Sequence, residues 1–349
     1  MSKRSEVCRL ILTVGLSAMC MGGVSAALAL ALGINPPRSA SRSEQPLVQI
    51  GKIPLPGVEG RIDHFGIDLD RRRLFMSALG NNTVEILDLK TNKRVGTIHE
   101  LREPQGVLYV PAINRVFVGN AQGGAVDVFD GNTLRPVGEV KYTDDADNIR
   151  YDASAKLVYI GYGDGAIGVI DASSDKRLHD IKLEAHPESF QLETSGSRMF
   201  VNVPDAGYLE VVDRTKQAVI AKWRIEGARA NFPMALDEAD QRLFITCRRP
   251  PQVMVFDTAS GKVLARLPVV GDADDMFYDL AHRRIYVSGG EGAISVIDQR
   301  DPDHYQVIGR IPTAPGARTS FFVPALNRLY VAVPHRGTQP AEVRVFEVR

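Results

Sequence analysis

The chain has 349 residues, is 44% hydrophobic and carries equal numbers of basic and acidic side chains, so its formal net charge is zero. A chain of this length and hydrophobicity can bury a core without disulfide bonds. The charge balance disfavours a nucleic-acid partner, because proteins that bind nucleic acids usually carry an excess of Lys and Arg.

The N-terminal segment has the pattern of an export signal. Three basic residues among the first nine precede an uncharged, mainly apolar run over residues 10–34. We predict that residues 1–34 are a cleaved signal peptide or an N-terminal membrane anchor, since a run of about 25 residues can also span a bilayer. Residues 35–46 are rich in Pro and Ser and predict a disordered linker. We therefore expect an exported protein, periplasmic or secreted, that contacts a membrane only through residues 1–34 if they are retained.

From residue 47 onward, one sequence unit recurs seven times. In the copy at 285–298, IYVSGGEGAISVID, two short apolar runs rich in β-branched and aromatic residues flank a glycine-rich turn. This pattern predicts a β-hairpin. The copies repeat roughly every 42 residues, a period typical of the blade of a β-propeller. The equivalent first-strand positions are Leu74, Val116, Val158, Met199, Leu243, Ile285 and Leu329.

Each repeat has room for two further strands, one before the hairpin and one after it. The sequence therefore predicts an all-β, seven-bladed β-propeller with four-stranded blades, whose strands we name a to d from the central channel outward. The last copy ends at 345–349 with no sequence left for a fourth strand, and the segment 47–55 has the pattern of a strand but belongs to none of the seven copies. We predict that the N-terminal strand completes the last blade, which leaves no open sheet edge between the chain ends.

The second hairpin strand usually ends with an aspartate. A carboxylate at this position can accept hydrogen bonds from the next backbone N–H groups, so a role in the turn is a better interpretation than catalysis. The residues are Asp88, Asp130, Asp171, Asp213, Asp257 and Asp298.

The repeat resembles the YVTN-type propeller repeat, most clearly at 74–98, 157–178 and 285–298. In those segments an aromatic-Val strand is followed by a loop, a strand that ends in Ile-Asp or Leu-Asp, and a further strand. Residues 47–349 as a whole resemble the YncE-like exported propellers. The resemblance implies the fold, but not one function, because related propellers include binding proteins, subunits of redox complexes and some enzymes.

Polar residues precede the innermost strand in nearly every repeat. Because the seven blades point these residues at one axis, we predict a ligand-binding site at the mouth of the channel. Carboxylates gathered there raise one another's pKa and favour a cation or a cationic ligand. The predicted site residues are Asp63, His64, Gln105, Asp147, Asn148, His186, Glu188, Asp274, Asp275 and Arg318.

Two chemical interpretations of this mouth stay open. Its carboxylates, with His64 or His186, could hold a divalent metal such as Ca²⁺. Alternatively, the polar mouth holds only water. On the same face, Arg248 and Arg249 are either solvated loop charges or part of a rim that binds a protein or an anion.

The sequence contains no H-E-x-x-H, EF-hand, C-x-x-C-H or nucleophile-elbow motif, and no catalytic residue is predicted. The favoured function is an exported, monomeric scaffold that binds a protein partner or a small molecule. The alternatives are a metal-dependent enzyme of lyase or lactonase type and a propeller subunit of a periplasmic redox complex.

Overall fold

Each sequence repeat folds as one antiparallel sheet of four strands. The computed structural model describes residues 45–349, so the predicted signal segment 1–34 and all but the last two residues of the predicted linker 35–46 lie outside the described residues. Seven four-stranded sheets result, which confirms the predicted seven-bladed propeller. No helix within 45–349 is long and apolar enough to cross a bilayer.

The blades are numbered in chain order, and their strands have the following bounds. Blade 1 holds β2 (Phe65–Asp68), β3 (Arg73–Ala78), β4 (Thr83–Asp88) and β5 (Lys93–Ile98). Blade 2 holds β6 (Pro104–Val110), β7 (Arg115–Asn120), β8 (Ala125–Asp130) and β9 (Pro136–Lys141). Blade 3 holds β10 (Ile149–Asp152), β11 (Leu157–Tyr162), β12 (Ala166–Asp171) and β13 (Lys176–Lys182). Blade 4 holds β14 (Phe190–Leu192), β15 (Arg198–Val203), β16 (Tyr208–Asp213) and β17 (Ala218–Arg224).

The remaining blades follow the same order. Blade 5 holds β18 (Arg229–Asp237), β19 (Arg242–Arg249), β20 (Pro251–Asp257) and β21 (Val263–Pro268). Blade 6 holds β22 (Ala273–Asp279), β23 (Arg284–Gly289), β24 (Ala293–Asp301) and β25 (His304–Pro312). Blade 7 holds β26 (Ser320–Val323), β27 (Arg328–Val333), β28 (Glu342–Val348) and, from the other end of the described chain, β1 (Leu47–Pro54).

The two ends of the folded part pair with each other. Strand β1 runs antiparallel to β28, with Leu47 opposite Val348 and Pro54 opposite Glu342. The backbone N–H of Arg349 also donates to the Pro46 carbonyl at 3.0 Å. The predicted closure is therefore confirmed, and it occupies the hydrogen-bonding edge that β28 would otherwise expose.

The core lies between the blades. On β3, Phe75 packs with residues of blade 2, whereas its neighbours Leu74 and Met76 pack against blade 7. Successive side chains of a strand point to opposite faces, and here each face is covered by a different blade. This double coverage explains why the two middle strands of each blade are apolar at nearly every residue.

The predicted role of the strand-end aspartates is confirmed in five blades and fails in blade 6. Asp88, for example, accepts a hydrogen bond from the backbone N–H of Lys90 at 2.8 Å. Asp298 instead lies inside β24, and the turn acceptor there is Asp301, which accepts from the Asp303 N–H at 2.9 Å. In blade 6, strand c continues past Asp298 to Asp301. Within this extension, the side-chain N–H of Gln299 donates to Asp237 of blade 5 at 3.0 Å.

Candidate functional site

The loops on one face of the ring enclose a cavity at the mouth of the channel, with a volume of about 490 Å³. Its walls come from the loops between strands d and a and between strands b and c. We call it the mouth cavity. Its lining residues are Arg61, Leu79, Glu103, Gln105, Ala121, Asp145, Asp147, His186, Glu188, Phe232, Arg248, Asp274 and Arg318.

All ten predicted site residues come together around this cavity. Six of them line it: Gln105, Asp147, His186, Glu188, Asp274 and Arg318. The other four form or support its floor. Asp63 and Asp275 both contact His64, and Asn148 donates its side-chain N–H to Asp147 Oδ2 at 3.2 Å. Arg61, Phe232 and Arg248, which are not among the ten predicted site residues, line the same walls.

The channel continues below the floor as a second cavity of about 360 Å³, which we call the lower chamber. His64 and Asp275 line the lower chamber, whereas Asp147 lines the mouth cavity. These three residues and Asp63 therefore form a polar layer between the two cavities, which we call the axial layer. Close backbone contact helps to form it, because a Cβ added to Gly106 would lie 1.9 Å from the Asp147 carbonyl oxygen.

His64 is the centre of the axial layer. Its Nε2 lies 3.6 Å from Asp63 Oδ1 and 3.5 Å from Asp147 Oδ1, and its Nδ1 lies 3.5 Å from Asp275 Oδ1. Burial alone would lower the pKa of His64, but these three carboxylates outweigh burial and raise it well above its ordinary value. The three carboxylates therefore favour the protonated ring, whose positive charge offsets part of the negative charge in the floor of the mouth cavity.

The two carboxylates on the Nε2 side of His64 respond in opposite ways. Burial raises the pKa of Asp63 to about 6, although His64 and Arg61 both act to lower it. Burial also acts to raise the pKa of Asp147, but His64 prevails and the net shift is downward. Asp147 Oδ1 is buried, accepts no hydrogen bond within residues 45–349, and has only the long ionic contact with His64.

Arginines change the electrostatics expected from the sequence. Arg61 donates to Asp63 Oδ2 at 2.6 Å, and Arg318 Nε lies 3.0 Å from Asp274 Oδ2. Arg248 donates to Asp274 Oδ1 at 2.5 Å and stacks on Phe232, with 3.8 Å between the guanidinium carbon and the ring centroid. The mouth is therefore of mixed charge, because arginines pair with the carboxylates that were expected to favour a cation.

Glu188 and His186 come from the same loop but differ in their contacts. His186 Nδ1 lies 2.6 Å from the Gly163 carbonyl oxygen, and its Nε2 lies 3.7 Å from Asp145 Oδ2. Glu188 faces the mouth cavity, where burial and the carboxylates Asp147 and Asp274 raise its pKa well above the ordinary range. A carboxyl group whose pKa is raised keeps its proton to higher pH than an ordinary glutamate and can act as a proton donor.

The metal hypothesis finds little support in the geometry. Within residues 45–349, no three or more His, Cys, Asp or Glu side chains are arranged to hold a metal ion. The carboxylates that a divalent ion would need already face His64 or an arginine.

Comparison with known proteins agrees with the resemblance seen in the repeats. No family model matches the chain. "Uncharacterized protein YncE" of Salmonella typhimurium is 24% identical over 272 residues, which are 73% of this chain and 76% of that protein. YncE of Escherichia coli K12 is 24% identical over 197 residues, 52% of this chain and 56% of that protein.

Solved structures share the fold at lower identity. A chain of Kuenenia stuttgartiensis hydrazine synthase superposes with a TM-score of 0.71 at 19% identity, covering 80% of this chain and 95% of its own. A chain of the mitotic checkpoint complex gives 0.74 at 11% identity, covering 93% and 99%. At these identities the likeness concerns the fold alone. The chain is a seven-bladed β-propeller that is similar in sequence to the YncE proteins.

Proposed function

We propose that the protein is a binding scaffold whose mouth cavity takes a small polar molecule carrying both hydrogen-bond donors and an acidic or other acceptor group. The observation that carries this proposal is Asp147, which lines the mouth cavity and whose buried Oδ1 accepts no hydrogen bond from residues 45–349 and has only the 3.5 Å ionic contact with His64. A buried carboxylate oxygen without a donor is costly, and a ligand N–H or O–H would remove that cost.

The rest of the cavity fits a ligand with two kinds of polar group. Glu188 offers a second acceptor beside Asp147, while Arg61 is half-exposed and uses only Nη2 in its contacts with Asp63 and Gln105. The remaining N–H groups of Arg61 can bind an acceptor such as a carboxylate. An amino acid has this combination, whereas a betaine lacks the donor and a polyamine lacks the acceptor, and about 490 Å³ is within the range of small-molecule sites.

The test is a thermal-shift and calorimetry screen of the purified protein with amino acids, betaines and polyamines. We expect at least one zwitterion to bind, and Asp147→Asn to weaken that binding by tenfold or more. The matched control is Asp205→Asn, since Asp205 is an exposed carboxylate in a b–c loop on the same face and outside the cavity. A wild-type protein that binds none of these compounds, or equal binding by both variants, would overturn the proposal.

A second candidate function is acid–base catalysis in the same cavity, favoured by the raised pKa of Glu188. It corresponds to the lyase-type alternative, without a need for metal ligands. If the ligand found in the screen is converted, Glu188→Gln should abolish turnover while leaving affinity within about threefold. If the wild-type protein forms no product and Glu188→Gln only weakens ligand binding, the function is binding and not catalysis.

We also propose export, on the basis of the basic and then apolar order of residues 1–34. Cell fractionation tests this, and the mass of the mature protein distinguishes cleavage from anchoring. Protein found in the cytoplasmic fraction, with residues 1–34 retained, would contradict the proposal.

A further inference from the structure

We propose that the lower chamber is a second binding site, separate from the mouth cavity, for a small aromatic carboxylate whose acid group is held by Arg150. The proposal rests on three observations that do not involve the mouth: the composition of one ring of residues, the contacts of Arg150, and the walls of the chamber.

The first observation is a ring of equivalent positions on the seven innermost strands. Each member lies opposite an aromatic residue of the adjacent strand b, so the seven occupy the same level of the channel. Arg150 is the one charged member, and the equivalent residues in the two adjacent blades are Leu108 and Gln191. The ring consists of Gly66, Leu108, Arg150, Gln191, Ala235, Phe277 and Phe321.

The second observation is the set of contacts that Arg150 makes. Its Nη1 donates to the Ile149 carbonyl oxygen at 2.9 Å, and its Nη2 makes a long contact of 3.4 Å with Asn148 Oδ1. In the part of the chain that the structure describes, Arg150 forms no ion pair, unlike Arg61, Arg248 and Arg318 of the mouth. The carboxylates of Asp275 and Asp147 are near enough to favour its charge but form no ion pair with it, and its guanidinium carbon lies 5.5 Å from the centroid of the Phe190 ring. A guanidinium has five N–H donors, so Arg150 keeps donors that a ligand can use.

The third observation is the apolar wall beside this cation. Phe277 and Phe321 meet edge to face, with ring centroids 5.8 Å apart, and Phe65 lies 6.3 Å from Phe321. Phe277, Phe321 and Leu108 line the chamber and are only half-buried although they belong to innermost strands, so their free surface faces it. Aromatic rings of a ligand pack well against such a wall.

The walls and the cation together define the ligand class. The chamber volume of about 360 Å³ suits one small molecule, and the axial layer above it closes the route to the mouth cavity with charged side chains. The flat apolar part of the ligand would contact the phenylalanines, while its carboxylate accepts hydrogen bonds from the N–H groups of Arg150 that the protein does not use. An anion without an apolar body would leave the aromatic wall in contact with water, and is therefore a poorer fit.

The probes are 2-naphthoate and its neutral amide, 2-naphthamide, titrated into the wild-type protein by calorimetry. We expect 2-naphthoate to bind at least tenfold more tightly than 2-naphthamide. Equal affinity for the two, or no binding of 2-naphthoate, would overturn the proposal without any need for a variant.

Variants then locate the site. Arg150→Gln and Phe277→Ala should each weaken 2-naphthoate binding tenfold or more, and Arg150→Lys should recover part of the affinity lost in Arg150→Gln. The control is Arg135→Gln, an exposed position outside both cavities. The zwitterion screen and the 2-naphthoate titration use different ligands, so failure of the mouth proposal and failure of this one give different results. Binding that survives Arg150→Gln unchanged would place the ligand elsewhere and contradict the proposal.

Discussion

His64 of blade 1 and Asp147 of blade 3 meet in the channel, with 3.5 Å between Nε2 and Oδ1. On the other side of the same ring, His64 Nδ1 faces Asp275 of blade 6. One imidazolium therefore links three blades and supplies the positive charge that three facing carboxylates require. The position that an acidic channel would offer to a metal ion is filled by a side chain of the protein itself.

Replacing this cation should destabilise the protein in a pH-dependent way. We expect His64→Gln to lower the free energy of unfolding by about 3 kcal/mol at pH 6, because Asp147 and Asp275 then lose the cation they face, while Asp63 keeps its contact with Arg61. The pKa of folded His64 lies above its unfolded value, so its contribution is complete below about pH 6.5 and is lost as the pH rises through the folded pKa. Urea unfolding at pH 6, 7.5 and 9 should show that the loss of unfolding free energy in His64→Gln becomes smaller as the pH rises.

The control for this series is His304→Gln, at a strongly exposed histidine that pairs with Asp301, which should cost less than about 0.5 kcal/mol at every pH. A cost of His64→Gln that stays constant or grows with pH would show that His64 is neutral in the folded protein.

Gly106 should not tolerate a side chain. An added Cβ would lie 1.9 Å from the Asp147 carbonyl oxygen and 2.9 Å from an Ile149 side-chain carbon, so the floor of the mouth cavity must shift. We expect Gly106→Ala to cost about 3 kcal/mol or more. At Gly96 on β5 the nearest contact would be an ordinary 3.7 Å, so Gly96→Ala should stay within about 1 kcal/mol of the wild type. Similar costs for both in urea unfolding would contradict the close packing described here.

Glu188 should lower the stability of the wild-type protein as the pH rises. Its folded pKa lies above the ordinary value, so its contribution is favourable at pH 4 and is lost above that as the carboxyl ionises beside Asp147 and Asp274. Glu188→Gln does not ionise, and its melting temperature relative to the wild type should therefore rise between pH 5 and pH 8.5. Glu226→Gln, at an exposed carboxylate, should show no such trend. A constant difference between Glu188→Gln and the wild type would mean that Glu188 has an ordinary pKa.

The closure of the ring should depend on the buried face of β1. Leu47 is fully buried in the core between blades 6 and 7, whereas Ile50 on the same strand is half-exposed. Leu47→Ala should cost about 2 to 5 kcal/mol and Ile50→Ala less than about 1 kcal/mol, by urea unfolding. Equal costs would indicate that β1 is not a required strand of blade 7.

The fold could be predicted from the sequence because its signal is repeated. Seven copies of one hairpin pattern, each apolar on both strands, leave few architectures other than a ring of blades. The missing fourth strand after 345–349 and the spare strand at 47–55 then predict how the ring closes. Blade 6 departed from the pattern because Gln299 binds Asp237 of a different blade, and such a contact between repeats has no local sequence signal.

The candidate site was predictable in position but not in charge. The ten predicted polar residues stand just before the innermost strands or near their start, which predicts that they face one axis, and the structure places them together. Some charged partners of these residues come from other blades. Arg248, for example, belongs to strand b of blade 5 but pairs with Asp274 of blade 6. Phe232 stands near the start of the innermost strand of blade 5, where most other blades have a polar residue, and it stacks on the Arg248 guanidinium. This apolar exception was the sequence signal for the position of Arg248. Arg150 was missed because it lies one level deeper, inside a strand.

A high-resolution crystal structure of the full-length protein after incubation with the zwitterion found in the screen tests the binding function most directly. The account predicts a single ordered ligand in the mouth cavity, with a donor atom within hydrogen-bond distance of Asp147 Oδ1 and an acceptor near Arg61. A mouth cavity that holds only water while the ligand binds elsewhere on the surface would contradict it.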